Sequence, residues 1–188
     1  ILLEKEKAFP NKEILHILID GKYKSLSYKK IIDGARKFEE GLKKAGIGNG
    51  DVVILILPHG LDLIYSYFGA ILNGCIPSIM PYLTEKLIPE KYRKDLHSLI
   101  AITKPIGLIT FADFKREIRL LNTIETSIKS ILISEEINCE LKILNDNHFG
   151  LLQKSTDIAL LQHSSGTTGL QKGVALSHQA VINQLSCY

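Results

Sequence analysis

The residues best equipped for chemistry lie between Leu160 and Ser177, LLQHSSGTTGLQKGVALS, where a polar stretch separates two apolar runs. From Ser164 to Gly173 there are three glycines (Gly166, Gly169, Gly173), four hydroxyls (Ser164, Ser165, Thr167, Thr168) and one lysine, Lys172; Leu170 is the only large apolar side chain. Such a stretch cannot anchor a core, but it suits an anion. Glycines let backbone N–H groups close on an oxyanion, hydroxyls supply rotatable donors, and a lysine supplies a point charge. A hydrogen bond to a charged group contributes about 1.5–3 kcal/mol against about 1 for a neutral one, so several together could hold a triphosphate without buried apolar contact. The competing reading is a flexible surface hairpin, the commoner fate of Gly/Ser/Thr clusters. The lysine at fixed spacing and the strand signals on both sides favour phosphate.

The elements around the loop decide what kind of phosphate site it is. A Walker A loop needs GxxxxGK[ST] between a strand and a helix. Here Gln171-Lys172 is followed by Gly173-Val174-Ala175-Leu176, a strand, and Ile158 to Gln162 is the strand before it, so that motif is excluded. Ser177 is placed to cap a closing helix.

Upstream, Ile1 to Pro10 is weakly helical, Ile14 to Ile19 reads as a strand entering the turn Asp20-Gly21, and Lys22 to Leu26 completes a hairpin. Ser27 caps a helix whose apolar positions, Tyr28, Ile31, Ile32, Ala35, Phe38, Leu42 and Ala45, share one face; Gly46 stops it. Gly46 to Asp51 superficially matches a dinucleotide fingerprint but runs from helix to strand, the wrong order, and is read as a turn. Val52 to Leu57 has the continuous apolar character of a strand covered on both faces. A helix over Leu61 to Leu72, a strand over Cys75 to Met80, a helix from Pro89 to Thr103 and a strand over Ile106 to Phe111 follow. Asp113 to Ile128 is expected to be helical, Ser130 to Ile133 extended, and Asn138 to Asp157 an irregular connector. The alternation predicts an α/β fold: layered, with a mainly parallel sheet built from βαβ units.

The totals narrow the field. The chain has 188 residues, 45% hydrophobic and 23% charged, which excludes disorder as its main description. A formal charge of +3 with dispersed Lys and Arg gives no support for nucleic-acid binding, and the basic stretch Lys22 to Lys44 reads as a solvated helix face. Cys75, Cys139 and Cys187 lack CxxC spacing and are read as free thiols. The six histidines show no metal-ligand spacing. Leu61 to Leu83 is too interrupted by Asp62, Asn73-Gly74, Pro77 and Pro81 to be a transmembrane segment. No secretory signal opens the chain. It begins at Ile1 and closes at Tyr188 inside an expected helix, which predicts a piece of a longer protein.

The pattern SSGTTGLQKGV closely resembles the phosphate loop of the AMP-forming adenylating enzymes, the family of acyl-CoA synthetases, luciferases and peptide-synthetase adenylation domains; Gln171 stands where the family usually has proline. The earlier succession of capped helix, GxGxGD turn, apolar strand, helix and glycine-proline strand is similar to that family's N-terminal region. The resemblance implies that residues 1–188 are the N-terminal part of an AMP-binding domain. It implies a ligase, expected in the cytoplasm from its odd and unpaired cysteines, that activates a small-molecule carboxylic acid with ATP and Mg2+ and passes the acyl group to coenzyme A or a carrier-protein thiol. The wording of the loop is most similar to fatty-acid-CoA ligases.

On the same resemblance, Ser164, Ser165, Thr167 and Thr168 would donate to phosphate oxygens, Gly166 and Gly169 would let the backbone close, and Lys172 would supply charge. Thr168 would also stand beside magnesium. His163 occupies a place where the family often has an aromatic residue; packing at the strand end and substrate contact are both open to it. No catalytic residue is expected within this stretch, because the family's catalytic lysine, ribose-binding aspartate and acid pocket lie beyond it, and the stretch alone is expected to be inactive. Two alternatives remain: an adenylation domain for amino or aryl acids, and a non-catalytic nucleotide-binding module.

Overall fold

The computed structural model describes residues 1–121, 127–138, 147–163 and 173–187. Helix α1 (Leu2–Ala8) leads into an antiparallel hairpin, β1 (Glu13–Ile19) and β2 (Lys22–Ser27), closed by the two-residue turn Asp20-Gly21. Ser27 then caps α2 (Tyr28–Lys44): its Oγ accepts the Lys30 N–H at 3.3 Å. The helix ends because Gly46 takes a φ of +70°, a left-handed conformation that glycine adopts without a steric penalty. Gly46 N–H donates to Lys43 O and Ile47 N–H to Leu42 O, each at 3.0 Å, so the last carbonyls are satisfied as the chain turns.

The turn from Gly46 to Asp51 is held by its own acid, since the Asp51 carboxylate accepts the Gly48 N–H at 2.9 Å. Beyond it run β3 (Val52–Leu55), α3 (Leu61–Leu72), β4 (Ile76–Ile79), α4 (Pro89–Thr103) and β5 (Gly107–Thr110). A short 3-10 turn introduces α5 (Lys115–Leu121), followed by β6 (Ser130–Ile133), β7 (Ile158–His163), β8 (Gly173–Ser177) and α6 (His178–Ser186). The six strands β3 to β8 form one sheet in the order β6-β5-β3-β4-β7-β8. All neighbours are parallel except the edge strand β8, which is antiparallel to β7.

The two faces of that sheet make the core. Val53, Leu55, Leu57 and Ile109 lie under Phe38 and Leu42 of α2 and Ala70 of α3. Ile54, Ile56 and Leu108 lie under Tyr92, Leu96, Leu99 and Ile100 of α4 and Ile118 of α5. Because both faces are covered, the central strand is apolar at every position from Val52 to Leu57, as the sequence predicts.

Two expectations need correction. The helix expected over Asp113 to Ile128 is a 3-10 turn and then α5, and Ile128 is not helical. Ser127 Oγ donates to Pro105 O and Lys129 N–H to Ile106 O, both at 2.8 Å, so the chain is already laid beside the start of β5 before β6 begins. Ile128 packs on the same apolar cluster from this non-helical segment, which is why its spacing mimics a helical face.

Nor is the basic stretch Lys22 to Lys44 one solvated helix face: Lys22–Ser27 is strand β2, and Arg36 of α2 is buried. Glu39 is buried, with its carboxylate 2.6 Å from Lys43 Nζ and 2.8 Å from Nδ1 of the equally buried His148. That bond fastens the connector before β7 to α2.

Candidate functional site

The strand pair β7 and β8 positions the candidate loop. Its ladder ends at His163 opposite Gly173, and the connection 164–172 leaves from there. Because β7 runs parallel to β4, its end at His163 lies with the carboxyl ends of β3 to β6, where open α/β sheets bind ligands. Ser164, Ser165, Gly166, Thr167, Thr168, Gly169 and Lys172 themselves lie outside the described residues.

The frame around the loop is described. Ser177 Oγ accepts the Ala180 N–H at 3.2 Å and caps α6, as its residue type predicts. His178 and Gln179 N–H donate to Asp157 O and Ser155 O, tying the start of α6 to the turn ahead of β7. A cavity of about 890 Å³ opens between α6, β7 and the neighbouring elements, with Tyr67, Pro77, Leu161, His163, Val181 and Leu185 among its lining residues.

His163 stands at the junction of cavity and loop. Its Nε2 is 2.7 Å from the Ser78 hydroxyl, and Ser78 is fully buried on β4. Burial lowers the pKa of the imidazole, which favours the neutral ring. Its Nδ1 is also buried and has no hydrogen-bond partner among the described residues. Sequence reasoning missed Ser78 altogether; the available signal was one hydroxyl inside the apolar strand of Ile76 to Met80.

Other reactive groups fall away. Cys75 is free but buried, its thiol donates to Gly48 O at 3.1 Å, and burial pushes its pKa up to about 12. Cys187 is free and exposed, while Cys139 lies outside the described residues. Among the described residues no group of three or more His, Cys, Asp or Glu could hold a metal ion, and no helix is long and apolar enough to cross a membrane.

The fold defines the class: an α/β protein with a mainly parallel sheet covered on both faces, whose strand β7 ends at His163 among the carboxyl ends of its parallel neighbours. Residues 2–188 match the family model described as AMP-binding enzyme, and the chain belongs to that family. It is 27% identical over 155 residues to 4-coumarate--CoA ligase 2 of Petroselinum crispum, covering 81% of this chain and 28% of the relative. It is 26% identical over 176 residues to 4-coumarate--CoA ligase 3 of Arabidopsis thaliana, covering 90% and 30%. Among solved structures, the fatty acyl-adenylate ligase from L. pneumophila in complex with acyl adenylate and pyrophosphate is similar with a TM-score of 0.73 and 26% identity, over 98% of this chain and 31% of that one. The chain therefore spans less than a third of the length of these relatives.

Proposed function

We propose that the parent protein is an ATP-dependent acid–thiol ligase, and that residues 164–172 hold the phosphates of its nucleotide. The observation that carries this reading is the sequence Ser164 to Lys172, rich in donors and free of core-forming side chains apart from Leu170, set between the paired ends of β7 and β8 in a chain of this family. In the first step a carboxylate oxygen of the acid bonds to the α-phosphorus of ATP as the bond to the β-phosphate oxygen breaks, giving acyl-adenylate and pyrophosphate. In the second the sulfur of coenzyme A, or of a carrier-protein thiol, bonds to the acyl carbon and AMP leaves.

The loop's work belongs to the first step. Ser164, Ser165, Thr167 and Thr168 donate to phosphate oxygens, Gly166 and Gly169 allow close backbone approach, and Lys172 balances the charge growing on the departing pyrophosphate. The hydroxyl-rich donor set suits Mg2+, a hard cation that keeps most of its oxygen ligands from phosphate and water; Thr168 is the residue that would stand beside it. When bound, the ion neutralises phosphate charge.

For the acid we propose a fatty acid, supported by the wording of the loop and by similarity to the acyl-adenylate ligase fold. An aryl acid is the second reading, favoured by similarity to the 4-coumarate ligases. ATP–pyrophosphate exchange by the complete protein against a panel of fatty, aryl and amino acids separates them. Exchange with fatty acids alone supports the first, and exchange confined to aryl acids replaces it. In the same assay Lys172→Ala is expected to lower exchange roughly ten- to a hundredfold, the equivalent of about 1.5–3 kcal/mol for one charged contact. Unchanged exchange would remove Lys172 from the site.

A further inference from the structure

The hairpin that presents the loop lies beside β4 but shares little registered backbone pairing with it. Strand β8 pairs with β7 along five registered positions, from Ile158 opposite Ser177 to His163 opposite Gly173. Between β7 and β4, by contrast, one registered pair is formed, Ser78 opposite Leu161. Backbone pairing therefore fixes the two hairpin strands to each other far better than it fixes the hairpin to the parallel sheet.

The second tie is a side chain. Two residues beyond Leu161, His163 reaches back so that its Nε2 meets Ser78 Oγ at 2.7 Å, joining positions 85 residues apart. Ser78 is completely buried, and this is the hydrogen bond its hydroxyl makes to a side chain among the described residues. On the other side of β7 the ring borders the space that Gly173 leaves open at the start of β8: a Cβ built on Gly173 would sit 3.4 Å from His163 Cε1 and 3.5 Å from Nδ1. One imidazole is thus bonded to β4 on one side of its own strand and faces the open Cβ position of Gly173 on the other, at the level where the connection 164–172 begins and ends.

From this we infer that His163 is a positioning residue for the phosphate site: bonded to Ser78 on β4 and registered opposite Gly173 on β8, it fixes where the two ends of the loop stand relative to the parallel sheet. The inference rests on the adenylating function proposed above. A hydrogen bond lost at this point leaves a buried hydroxyl unsatisfied and one registered backbone pair holding the hairpin at its inner edge. The donors of the loop would then meet the phosphates out of line, and displacement of about 1 Å can lower a rate by about a hundredfold.

The test uses the complete protein and its preferred acid. Kinetic constants for ATP and for the acid in pyrophosphate exchange, and binding of inorganic pyrophosphate by calorimetry, are compared for the wild type, Ser78→Ala, His163→Phe, the double variant and His163→Gln. Each single change to Ala or Phe is expected to lower kcat/KM for ATP and pyrophosphate affinity roughly ten- to a hundredfold, with KM for the acid unmoved. The double variant should be no worse than the poorer single one, because both remove one bond. His163→Gln, whose amide can replace Nε2, should recover most of the loss.

Unaffected variants in an active enzyme, or additive losses in the double variant, would overturn this inference and leave the proposed function standing. Wild-type protein that neither exchanges nor binds pyrophosphate would overturn the proposed function, and this inference with it.

Discussion

At the scale of single residues, the titration of His163 reports its burial. Desolvation lowers the imidazole pKa below its usual 6.5 in the native protein, whereas the unfolded chain keeps the ordinary value. As pH falls through about 6.5 the unfolded chain takes up a proton there that the native state resists, so the residue's contribution to stability is full above that value and declines below it. Denaturant unfolding of wild type and His163→Phe between about pH 7.5 and 5.5 should therefore show the wild type losing stability relative to the variant on acidification. A difference independent of pH would mean that the native ring protonates as readily as a free one. The residue types in Ser164 to Lys172 carry the proposal of an anion site from the sequence alone, because glycine, hydroxyl and lysine chemistry is local. The Ser78 contact is not legible, because nothing within reach of His163 along the chain announces a partner 85 positions away.

At the scale of elements, α2 and α3 are legible nearly to the residue. Ser27, Gly46 and the Asn73-Gly74 pair mark their ends, and each carries a periodic or continuous apolar surface. Their approach is a matter of packing that sequence pattern does not reveal. A Cβ on Gly69 of α3 would sit 2.6 Å from Ala35 O and 2.7 Å from Phe38 Cβ of α2, too close for either helix to remain in place. Gly69→Ala should destabilise the protein by about 1–3 kcal/mol despite its better helix propensity, measured as a lower denaturant midpoint. A neutral or stabilising result would show that the helices can separate freely. The Glu39–His148 bond gives a second prediction, for the contact between α2 and the connector before β7. Both side chains are nearly inaccessible, at 4% and 2%, so His148→Ala leaves the Glu39 carboxylate buried with Lys43 still bonded to it. A loss of about 1–3 kcal/mol is expected, the cost of one hydrogen bond taken from a buried acceptor. Loss of less than about 1 kcal/mol would place water or another donor on the carboxylate. The end of α5 is the converse case, where the apolar spacing of Ile118 and Ile128 looks helical although Ile128 reaches the same cluster from a non-helical segment.

At the scale of the whole molecule, the βαβ rhythm is enough to predict a mainly parallel sheet, because a short strand, a helix and another strand leave few other arrangements. The order β6-β5-β3-β4-β7-β8 is beyond it: the same rhythm allows each new strand to join either edge, and burial on both faces removes the alternation that would separate inner from outer strands. What the order achieves is to bring β7, and with it the start of the loop, beside β4. If nucleotide binds there as proposed, it stabilises the native state by mass action, which gives a measurement independent of turnover. At a concentration one hundred times its Kd, ATP with magnesium should raise the unfolding free energy of the complete protein by about 2.7 kcal/mol, provided the unfolded chain does not bind it. If Lys172 makes one charged contact, Lys172→Ala weakens binding roughly ten- to a hundredfold, and the same concentration should then add only about 0.4–1.4 kcal/mol. Denaturant midpoints with and without nucleotide, at unchanged slope, read both values. Equal gains in the two proteins would exclude Lys172 from the nucleotide site, and no gain in the wild type would exclude the site itself.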